Sequence, residues 1–223
     1  MKFFLDTADI ETLKKWCSTG LVDGVTTNPT LIAKTGRPMA EVIVKICEMV
    51  EGPVSAEVTA VEYEPMVEEG LYLAGLAPQV VVKVPLTSAG LQACKMLRLQ
   101  KVRVNVTLCF SASQALLAAK VGASFISPFV GRLDDISYEG LRLLEEVSMI
   151  YKNFPALSTE ILAASLRHPR HVIEAAKLGA HVVTMPPAVL HQMYYHPLTE
   201  SGLEKFLEDW KRTGQSILPH GNA

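Results

Sequence analysis

Short runs of apolar residues recur along the chain, separated by longer segments in which apolar residues return every three to four positions. The runs are rich in residues that favour strands, and several lack the polar alternation of a half-exposed strand. Eight runs are predicted as strands: FFLD (3–6), GVTTN (24–28), VSAEV (54–58), VVVKV (80–84), VRVNVTL (102–108), FISPFV (125–130), ILAAS (161–165) and HVVTM (181–185). Strands of this kind suit a parallel sheet that helices cover.

The segments between these runs have the spacing of amphipathic helices. Clear examples cover 38–50, 62–77 and 91–100, and another begins at Ser111, whose S-x-x-Q pattern with Gln114 is a capping box. A strand followed by a helix, eight times over, predicts an α/β fold, specifically a (β/α)8 TIM barrel. A doubly wound open sheet is the alternative.

A further helix is predicted after the eighth unit, at about residues 199–212. Phe206 and Trp210 lie four positions apart and give this helix an apolar face. Because such a face on an appended helix often packs against a neighbouring subunit, a homo-oligomer is expected. No linker, charge block or low-complexity tract divides the chain, so residues 1–223 are predicted to form one barrel domain that includes this helix.

Lys83 is the unusual residue of this pattern, since it lies inside the apolar run VVVKV. Burial disfavours the ammonium form of a lysine unless a carboxylate compensates. An uncharged amine in a dry pocket can attack a carbonyl carbon and form a Schiff base. The alternative is a lysine at a strand end that pairs with an acid or extends its amine to water.

Polar residues collect near the ends of the predicted strands. Where two belong to one strand they stand two positions apart, and such side chains share a face. The carboxyl ends of the strands form the active site of a (β/α)8 barrel, so this pattern predicts a polar site there. Besides Lys83, the residues are Asp6, Thr26, Asn28, Glu57, Thr59, Asn105, Thr107, Ser127, Ser165 and Arg167. For Asp6, Asn28 and Thr107 individually, a helix-capping role is the alternative.

Composition limits the partners that the chain can have. The formal net charge is −2, so no long-range attraction draws it to nucleic acid or to an anionic membrane, and phosphate must be bound by locally placed groups. No uncharged apolar run approaches the roughly 18 residues of a membrane span, and a cytoplasmic location is expected. The four cysteines have no metal-binding spacing and are predicted to be reduced packing residues.

The stretch RHPRH contains the remaining candidate motif. His168 and His171 have i, i+3 spacing, but no third ligand is evident, so a zinc site is not favoured and no metal is expected. Pro169 indicates the start of a helix, near which Arg167 and Arg170 could bind phosphate, although a solvated basic turn is the alternative. The glycine motifs of dinucleotide and P-loop sites are absent from the sequence.

Six stretches together resemble the transaldolase family, and within it the small subfamily that also contains fructose-6-phosphate aldolase. They are LDTAD, GVTTNPTLIAK, VVKVPLTSAG, VNVTLCFS, ISPFVGR and AASLR. The resemblance runs from about residue 1 to 217 and implies a (β/α)8 barrel with a class I aldol mechanism, without metal or cofactor. It implies transfer of a dihydroxyacetone unit from sedoheptulose 7-phosphate or fructose 6-phosphate to an aldose phosphate, in the pentose phosphate pathway.

The resemblance also implies roles for individual residues. Lys83 resembles the Schiff-base lysine, and Asp6 the acid/base at the hydroxyl beside the breaking carbon–carbon bond. Glu57 and Thr107 resemble the pair that holds a catalytic water. The substrate-binding residues implied in the same way are Thr27, Asn28, Asn105, Ser127, Phe129, Arg132, Ser165 and Arg167. Of these, Arg132, Ser165 and Arg167 resemble the phosphate site.

Two positions within the resemblance separate the two activities of the subfamily. Transaldolases carry glutamate and phenylalanine where the aldolases carry glutamine and tyrosine, and Glu57 and Phe129 stand at these positions here. Transaldolase is therefore the closer match and fructose-6-phosphate aldolase the alternative. A barrel whose lysine holds pyridoxal phosphate, and a sugar-phosphate-binding protein with a degenerate site, are two further hypotheses. Small members of the family form rings of ten, so a decamer or pentamer is expected.

Overall fold

The computed structural model describes residues 1–218. Eight parallel strands close into a barrel in chain order, because the last strand pairs with both the first and the seventh. The closed pairing confirms the predicted (β/α)8 barrel and excludes the open sheet. The strands are β1 (Lys2–Asp6), β2 (Gly24–Thr26), β3 (Val54–Glu57), β4 (Val80–Pro85), β5 (Val104–Cys109), β6 (Phe125–Pro128), β7 (Glu160–Ala163) and β8 (Val182–Met185).

One helix follows most strands, and two helices follow β2, β6 and β8. Their buried faces are rich in aliphatic residues, which pack against the outside of the barrel. The described helices are α1 (Ile10–Cys17), α2 (Pro29–Thr35), α3 (Met39–Met49), α4 (Tyr63–Ala74), α5 (Ser88–Leu99), α6 (Ala112–Lys120), α7 (Val130–Asp134), α8 (Gly140–Asn153), α9 (Pro169–Lys177), α10 (Pro187–Tyr194) and α11 (Pro197–Thr213).

A separate apolar cluster fills the inside of the barrel. It includes Phe4, Val81, Phe125, Leu162 and Val182, and the rings of Phe4 and Phe125 meet edge to face at 6.2 Å. Because side chains two apart in a strand share a face, the residue two positions after each of these also faces the interior. The barrel is therefore a packed core at this level, with the next layer lying toward the carboxyl ends of its strands.

Four strands, β2, β3, β6 and β7, end earlier than the sequence predicts, β3 by a single residue at Glu57. β2 stops at Thr26 because Asn28 caps α2, its Oδ1 accepting a hydrogen bond from the backbone N–H of Leu31 at 2.9 Å. β6 stops at Pro128, after which Phe129 makes only a single bridge to Ala164. β7 stops at Ala163. In each case the residue pattern continues beyond the last residue of the strand, so periodicity alone overestimates the strand.

Helix boundaries agree better with the sequence. Ser111 caps α6 as predicted, since its Oγ accepts a hydrogen bond from the backbone N–H of Gln114 at 3.3 Å, which is one half of the predicted capping box. The Gln114 side chain accepts in return from the N–H of Phe110, one residue before the cap. α9 begins at Pro169 as predicted. A proline suits the first position of a helix because its missing N–H would have no partner there.

The predicted C-terminal helix is present as α11 and is one turn longer than expected. None of its residues is buried in the described chain, and Phe206 is 71% exposed. The prediction of one domain over 1–223 stays a prediction, and its last residues, 219–223, lie outside the described part. Within that part, no helix is both long and apolar enough to cross a bilayer. All four cysteines are free thiols, as predicted.

Candidate active site

A cavity opens at the carboxyl ends of the strands. Its volume is about 210 Å3, somewhat below the range of about 300–1,000 Å3 that is usual for small-molecule sites, and it opens to solvent at its mouth. Its floor is the layer of polar side chains next to the apolar cluster inside the barrel, and the loops after the strands form its walls. The cavity is lined by Asp6, Thr26, Asn28, Lys83, Thr107, Ser127, Phe129, Arg132, Ala164, Ser165, Leu166, Arg167, Thr184 and Pro186.

Lys83 is buried on β4, beside Glu57 on β3. Its Nζ lies 2.9 Å from Glu57 Oε2 and donates a hydrogen bond to the backbone oxygen of Thr27 at 3.1 Å. Glu57 is thus the compensating carboxylate that a buried lysine requires. The pair fixes the amine at the cavity wall, and a proton acceptor stands next to it.

Asp6 stands at the end of β1, and its side chain is partly buried. Its Oδ1 accepts a hydrogen bond from the Thr26 hydroxyl at 2.7 Å, and the oxygens of Thr26 and Thr184 are 2.6 Å apart. Since Thr26 has a single hydroxyl proton, Thr184 is the donor in the second contact. Burial raises the pKa of Asp6, and the Thr26 hydrogen bond and the positive charge of Lys83 oppose this rise. Asp6 can therefore accept and return a proton.

A buried hydrogen-bonded chain lies at the floor. Ser127 donates to Asn105 Oδ1 at 2.8 Å, and Asn105 Nδ2 donates to Ser55 Oγ at 3.2 Å. Both polar groups of the Asn105 side chain therefore have partners below the cavity. Ser127 reaches the cavity surface, whereas Asn105 is among the buried residues beneath it.

The wall formed by β5 and β6 combines hydroxyl groups with aromatic rings. The buried Thr107 Oγ1 has no hydrogen-bond partner within residues 1–218, although it faces the cavity. Phe129 lines the cavity next to it and meets the ring of Phe110 edge to face at 5.5 Å. Together with Ser127, this wall offers two hydroxyls beside the ring of Phe129.

The far end of the cavity carries positive charge. Arg132 on α7 and Arg167 after β7 line it together with Ser165. Arg167 Nη2 pairs with Asp135 Oδ2 at 2.8 Å, whereas Arg132 makes no ion pair with any residue of 1–218. Ser165 adopts a left-handed conformation, with φ of +58°. Two guanidinium groups and a hydroxyl can donate several hydrogen bonds to one phosphate.

A model of the family described as Transaldolase/Fructose-6-phosphate aldolase matches residues 3–217. The chain belongs to this transaldolase/fructose-6-phosphate aldolase family. A probable transaldolase of Parvibaculum lavamentivorans is 61% identical over 218 residues, which cover 98% of this chain and 100% of the relative. A probable transaldolase of Rhodospirillum centenum is 59% identical over 98% of this chain and 94% of its own length.

Solved structures of other barrels share the fold at much lower identity. Flavocytochrome b2 with sulfite bound superimposes with a TM-score of 0.61 at 13% identity, over 84% of this chain. Inosine 5'-monophosphate dehydrogenase from Legionella pneumophila gives a TM-score of 0.59, also at 13% identity, over 85% of this chain. The chain spans 57% and 58% of those two proteins. At this identity the likeness concerns the barrel alone.

Nine of the twelve residues that the family resemblance implies line the cavity. The other three lie behind its surface: Glu57 is paired with Lys83, Asn105 belongs to the floor, and the Thr27 hydroxyl donates to the backbone oxygen of Ser55 at 2.8 Å. Thr27 contributes its backbone oxygen to Lys83, and its predicted contact with substrate stays a prediction. These three residues support the cavity from outside.

Thr59 was also expected at the site and is not there. Its hydroxyl and N–H bind the carboxylate of Glu69 on α4, because the chain turns away from the barrel axis after β3. Thr184 was missed, although it stands two residues after the interior Val182 and obeys the rule that located the others. Asn28 both caps α2 and lines the cavity, so the two readings of this residue are compatible.

No group of three or more histidine, cysteine, aspartate or glutamate side chains suited to a metal occurs within residues 1–218. The rings of His168 and His171 lie with their centroids 3.8 Å apart, and His171 binds Asp134.

The buried thiols are poor nucleophiles, since burial raises the pKa of Cys47 to about 11 and that of Cys94 to about 12.

Proposed function

We propose that the protein is a transaldolase that moves a dihydroxyacetone unit from a ketose phosphate to an aldose phosphate through a Schiff base on Lys83. The observation that carries this proposal is the buried Lys83, held 2.9 Å from Glu57 at a cavity that Asp6 also lines. An amine, a proton acceptor beside it and a second carboxyl group are what a class I aldol reaction needs.

The reaction begins at the ketose carbonyl. Lys83 Nζ attacks this carbon after losing a proton toward Glu57, and loss of water from the adduct gives the iminium. Asp6 then takes the proton of the hydroxyl on the carbon beyond the breaking bond. The carbon–carbon bond breaks, the aldehyde leaves, and the bonding electrons move into the iminium to give an enamine on Lys83.

The second half of the reaction reverses these steps with a different aldehyde. The enamine carbon attacks the acceptor, and Asp6 returns its proton to the new hydroxyl. Water then hydrolyses the iminium and frees Lys83. The unpartnered hydroxyl of Thr107 and the carboxylate of Glu57 support the proposal that these two residues hold that water.

The substrate lies with its phosphate at Arg132, Ser165 and Arg167, and with its ketose end at Lys83. The cavity lining carries both kinds of charge that this orientation uses, the two arginines for the phosphate and the Asp6 carboxyl group for proton transfer. Asn28 and Ser127 also line the cavity and can bind sugar hydroxyls. Sedoheptulose 7-phosphate and fructose 6-phosphate are the proposed donors, as in the pentose phosphate pathway.

Fructose-6-phosphate aldolase is the second candidate, because the matching family includes it. The phenyl ring of Phe129 in the cavity wall favours transaldolase over this alternative. It gives no hydroxyl with which to protonate the enamine and release free dihydroxyacetone.

The exposed apolar face of α11 supports a homo-oligomer, a pentamer or decamer. The four free thiols suit the reducing cytoplasm.

Borohydride trapping tests the central step. We expect reduction in the presence of fructose 6-phosphate to attach the sugar fragment to Lys83, located by peptide mass analysis. Lys83→Ala should give no adduct, and Lys83→Arg is the matched control because it keeps a cation beside Glu57 without a nucleophilic amine. Labelling of another lysine, or no labelling of folded wild-type protein, contradicts the mechanism.

A further inference from the structure

A buried histidine lies behind the positively charged end of the cavity and does not line it. His171, in the first turn of α9, is 6% exposed. Its Nδ1 accepts a hydrogen bond from the backbone N–H of Arg167 at 3.2 Å, and its Nε2 lies 3.1 Å from Asp134 Oδ2. Because Nδ1 is an acceptor, the proton is on Nε2, which donates to Asp134. Both ring nitrogens are thus used, each toward a different segment.

These two segments carry the arginines of the phosphate site. Asp134 ends α7, which bears Arg132 two residues earlier, and its Oδ1 also accepts the N–H of Gly140 at 2.9 Å. Arg167 belongs to the segment between β7 and α9. A single imidazole therefore links the helix that carries one arginine to the backbone that carries the other.

The two segments also touch directly, along their backbones. The N–H of Gly131 donates to the Ser165 oxygen at 2.9 Å, and that of Val130 donates to the Ala164 oxygen at 3.0 Å. A methyl group on Gly131 would lie only 2.3 Å from the Ser165 oxygen and 2.7 Å from Arg167 Cγ. The approach leaves no space for a side chain, so a small displacement of either segment would move Arg132, Ser165 and Arg167 relative to one another.

We propose that His171 is a positioning residue for the phosphate end of the cavity, where its neutral imidazole holds α7 and the 164–167 segment at the spacing that lets both arginines reach one phosphate. This inference rests on the proposed function in taking a sugar phosphate as the ligand. It goes beyond that function in assigning a role to a residue that does not contact the ligand. The charged side chain of Arg167 is held separately, by Asp135.

The surroundings of His171 keep its imidazole neutral. Burial lowers the pKa of His171, the neighbouring His168 and the guanidinium group of Arg167 lower it further, and the carboxylate of Asp134 opposes them. A protonated ring would carry a hydrogen on Nδ1, facing the N–H of Arg167, and that hydrogen bond would be lost. The neutral form is the one that can bind both segments at once.

Three substitutions separate the two contacts. His171→Asn keeps an acceptor near the position of Nδ1, His171→Gln keeps a polar group near the position of Nε2, and His171→Leu keeps neither. The matched control is His181→Leu, because His181 Nδ1 likewise accepts a backbone N–H, from Ile161 at 3.0 Å, at the opposite end of the barrel. Both leucine variants lose one imidazole-to-backbone hydrogen bond.

Affinity for inorganic phosphate, measured by calorimetry on the full chain, is the primary readout. We expect His171→Leu to bind phosphate about tenfold more weakly, the asparagine and glutamine variants to fall between it and wild type, and His181→Leu to match wild type. In exchange assays with fructose 6-phosphate, His171→Leu should raise KM for erythrose 4-phosphate more than KM for unphosphorylated D-glyceraldehyde.

Unchanged phosphate affinity in His171→Leu overturns the proposal, as does an equal loss in His181→Leu, since either result assigns His171 to folding alone. If His171→Leu does not fold, the asparagine and glutamine variants decide in the same way. Failure of the proposed function gives a different result: wild-type protein then shows no exchange of sugar phosphates, whereas the order of phosphate affinities still reports the positioning role.

Discussion

Lys83 is buried and Asp6 is partly buried, and their charges are compensated differently. Lys83 has an ion pair with Glu57 and a backbone oxygen as partners, whereas Asp6 has a single hydroxyl hydrogen bond. The raised pKa of Asp6 follows from this difference, because burial outweighs the hydrogen bond and the charge of Lys83. The chemistry of each residue therefore depends on neighbours that do not react.

Thr26 is the neighbour through which the role of Asp6 can be tested. Its hydrogen bond stabilises the Asp6 carboxylate, so Thr26→Val should raise the pKa of Asp6 further. Cleavage needs the carboxylate as proton acceptor, and we therefore expect the acidic limb of the pH profile of kcat/KM to move to higher pH. Thr26→Ser keeps the hydroxyl and should leave the limb in place. Asp6→Asn sets the scale, with an expected loss of about 10²–10⁴-fold in kcat.

A limb that stays in place in Thr26→Val, or moves to lower pH, would assign that limb to another group. The Thr184→Val variant helps here, since Thr184 acts on Asp6 only through Thr26. Its effect should have the same direction and be smaller.

Phe129 governs what happens to the enamine after the first aldehyde leaves. A tyrosine hydroxyl at this position would supply a group that protonates the enamine carbon, so Phe129→Tyr should raise the ratio of dihydroxyacetone release to transfer. The measurement compares free dihydroxyacetone formed from fructose 6-phosphate alone with exchange to erythrose 4-phosphate. Wild-type protein should exchange rapidly and release very slowly.

Phe129→Leu is the control, because it alters the ring that packs on Phe110 without adding a hydroxyl. If dihydroxyacetone release rises equally in both variants, the enamine is protonated because the packing of this ring is lost, and the tyrosine hydroxyl is not the cause. If wild-type protein releases dihydroxyacetone as fast as it transfers it, fructose-6-phosphate aldolase becomes the better assignment.

At the scale of elements, the sequence predicts the strands and their inward faces well. On two strands, a residue of the interior apolar cluster precedes a site residue by two positions: Val81 precedes Lys83, and Phe125 precedes Ser127. This holds because successive side chains of a strand point to opposite faces, so every second residue faces the inside of the barrel. The same rule also locates Thr184, two positions after Val182 on β8, although Thr184 is not among the residues predicted from the sequence.

Prediction fails where the chain leaves the strands, because alternation then carries no information. Thr59 follows β3 by two residues yet binds Glu69 on α4. On β5 the failure occurs within the strand. Leu108 has a φ of +59° and the pairing with β6 shifts between Val106 and Cys109, so the side chains after Thr107 no longer alternate as the sequence suggests.

The contacts of His171 could not be inferred from the sequence either. Its spacing to His168 suggests a pair of ligands, whereas its actual partners, Asp134 and the N–H of Arg167, come from two different connections. Only the closed barrel brings the helix after β6 against the segment after β7. Local patterns thus identify the residues that react, and the fold identifies those that position them.

For the whole molecule, the unexplained feature is α11. Phe206, Leu207 and Leu203 are 71%, 59% and 56% exposed, and they share one face of a helix that buries none of its residues in the described chain. Removing apolar surface of this kind from water is favourable by roughly 25 cal/mol per Å2 of buried area. A second copy of this chain is the occupant that the expected homo-oligomer supplies.

We expect the wild-type protein to be a pentamer or decamer by light scattering coupled to size exclusion. Phe206→Glu should lower the molecular mass, because each interface would have to bury an unpaired carboxylate. Lys205→Glu is the matched control, since it places the same side chain on the opposite face of α11 and should leave the mass unchanged. No residue of α11 lines the cavity, so exchange activity per subunit should survive in Phe206→Glu. A monomeric wild type, or an equal loss of mass in Lys205→Glu, would mean that the apolar face of α11 does not join subunits.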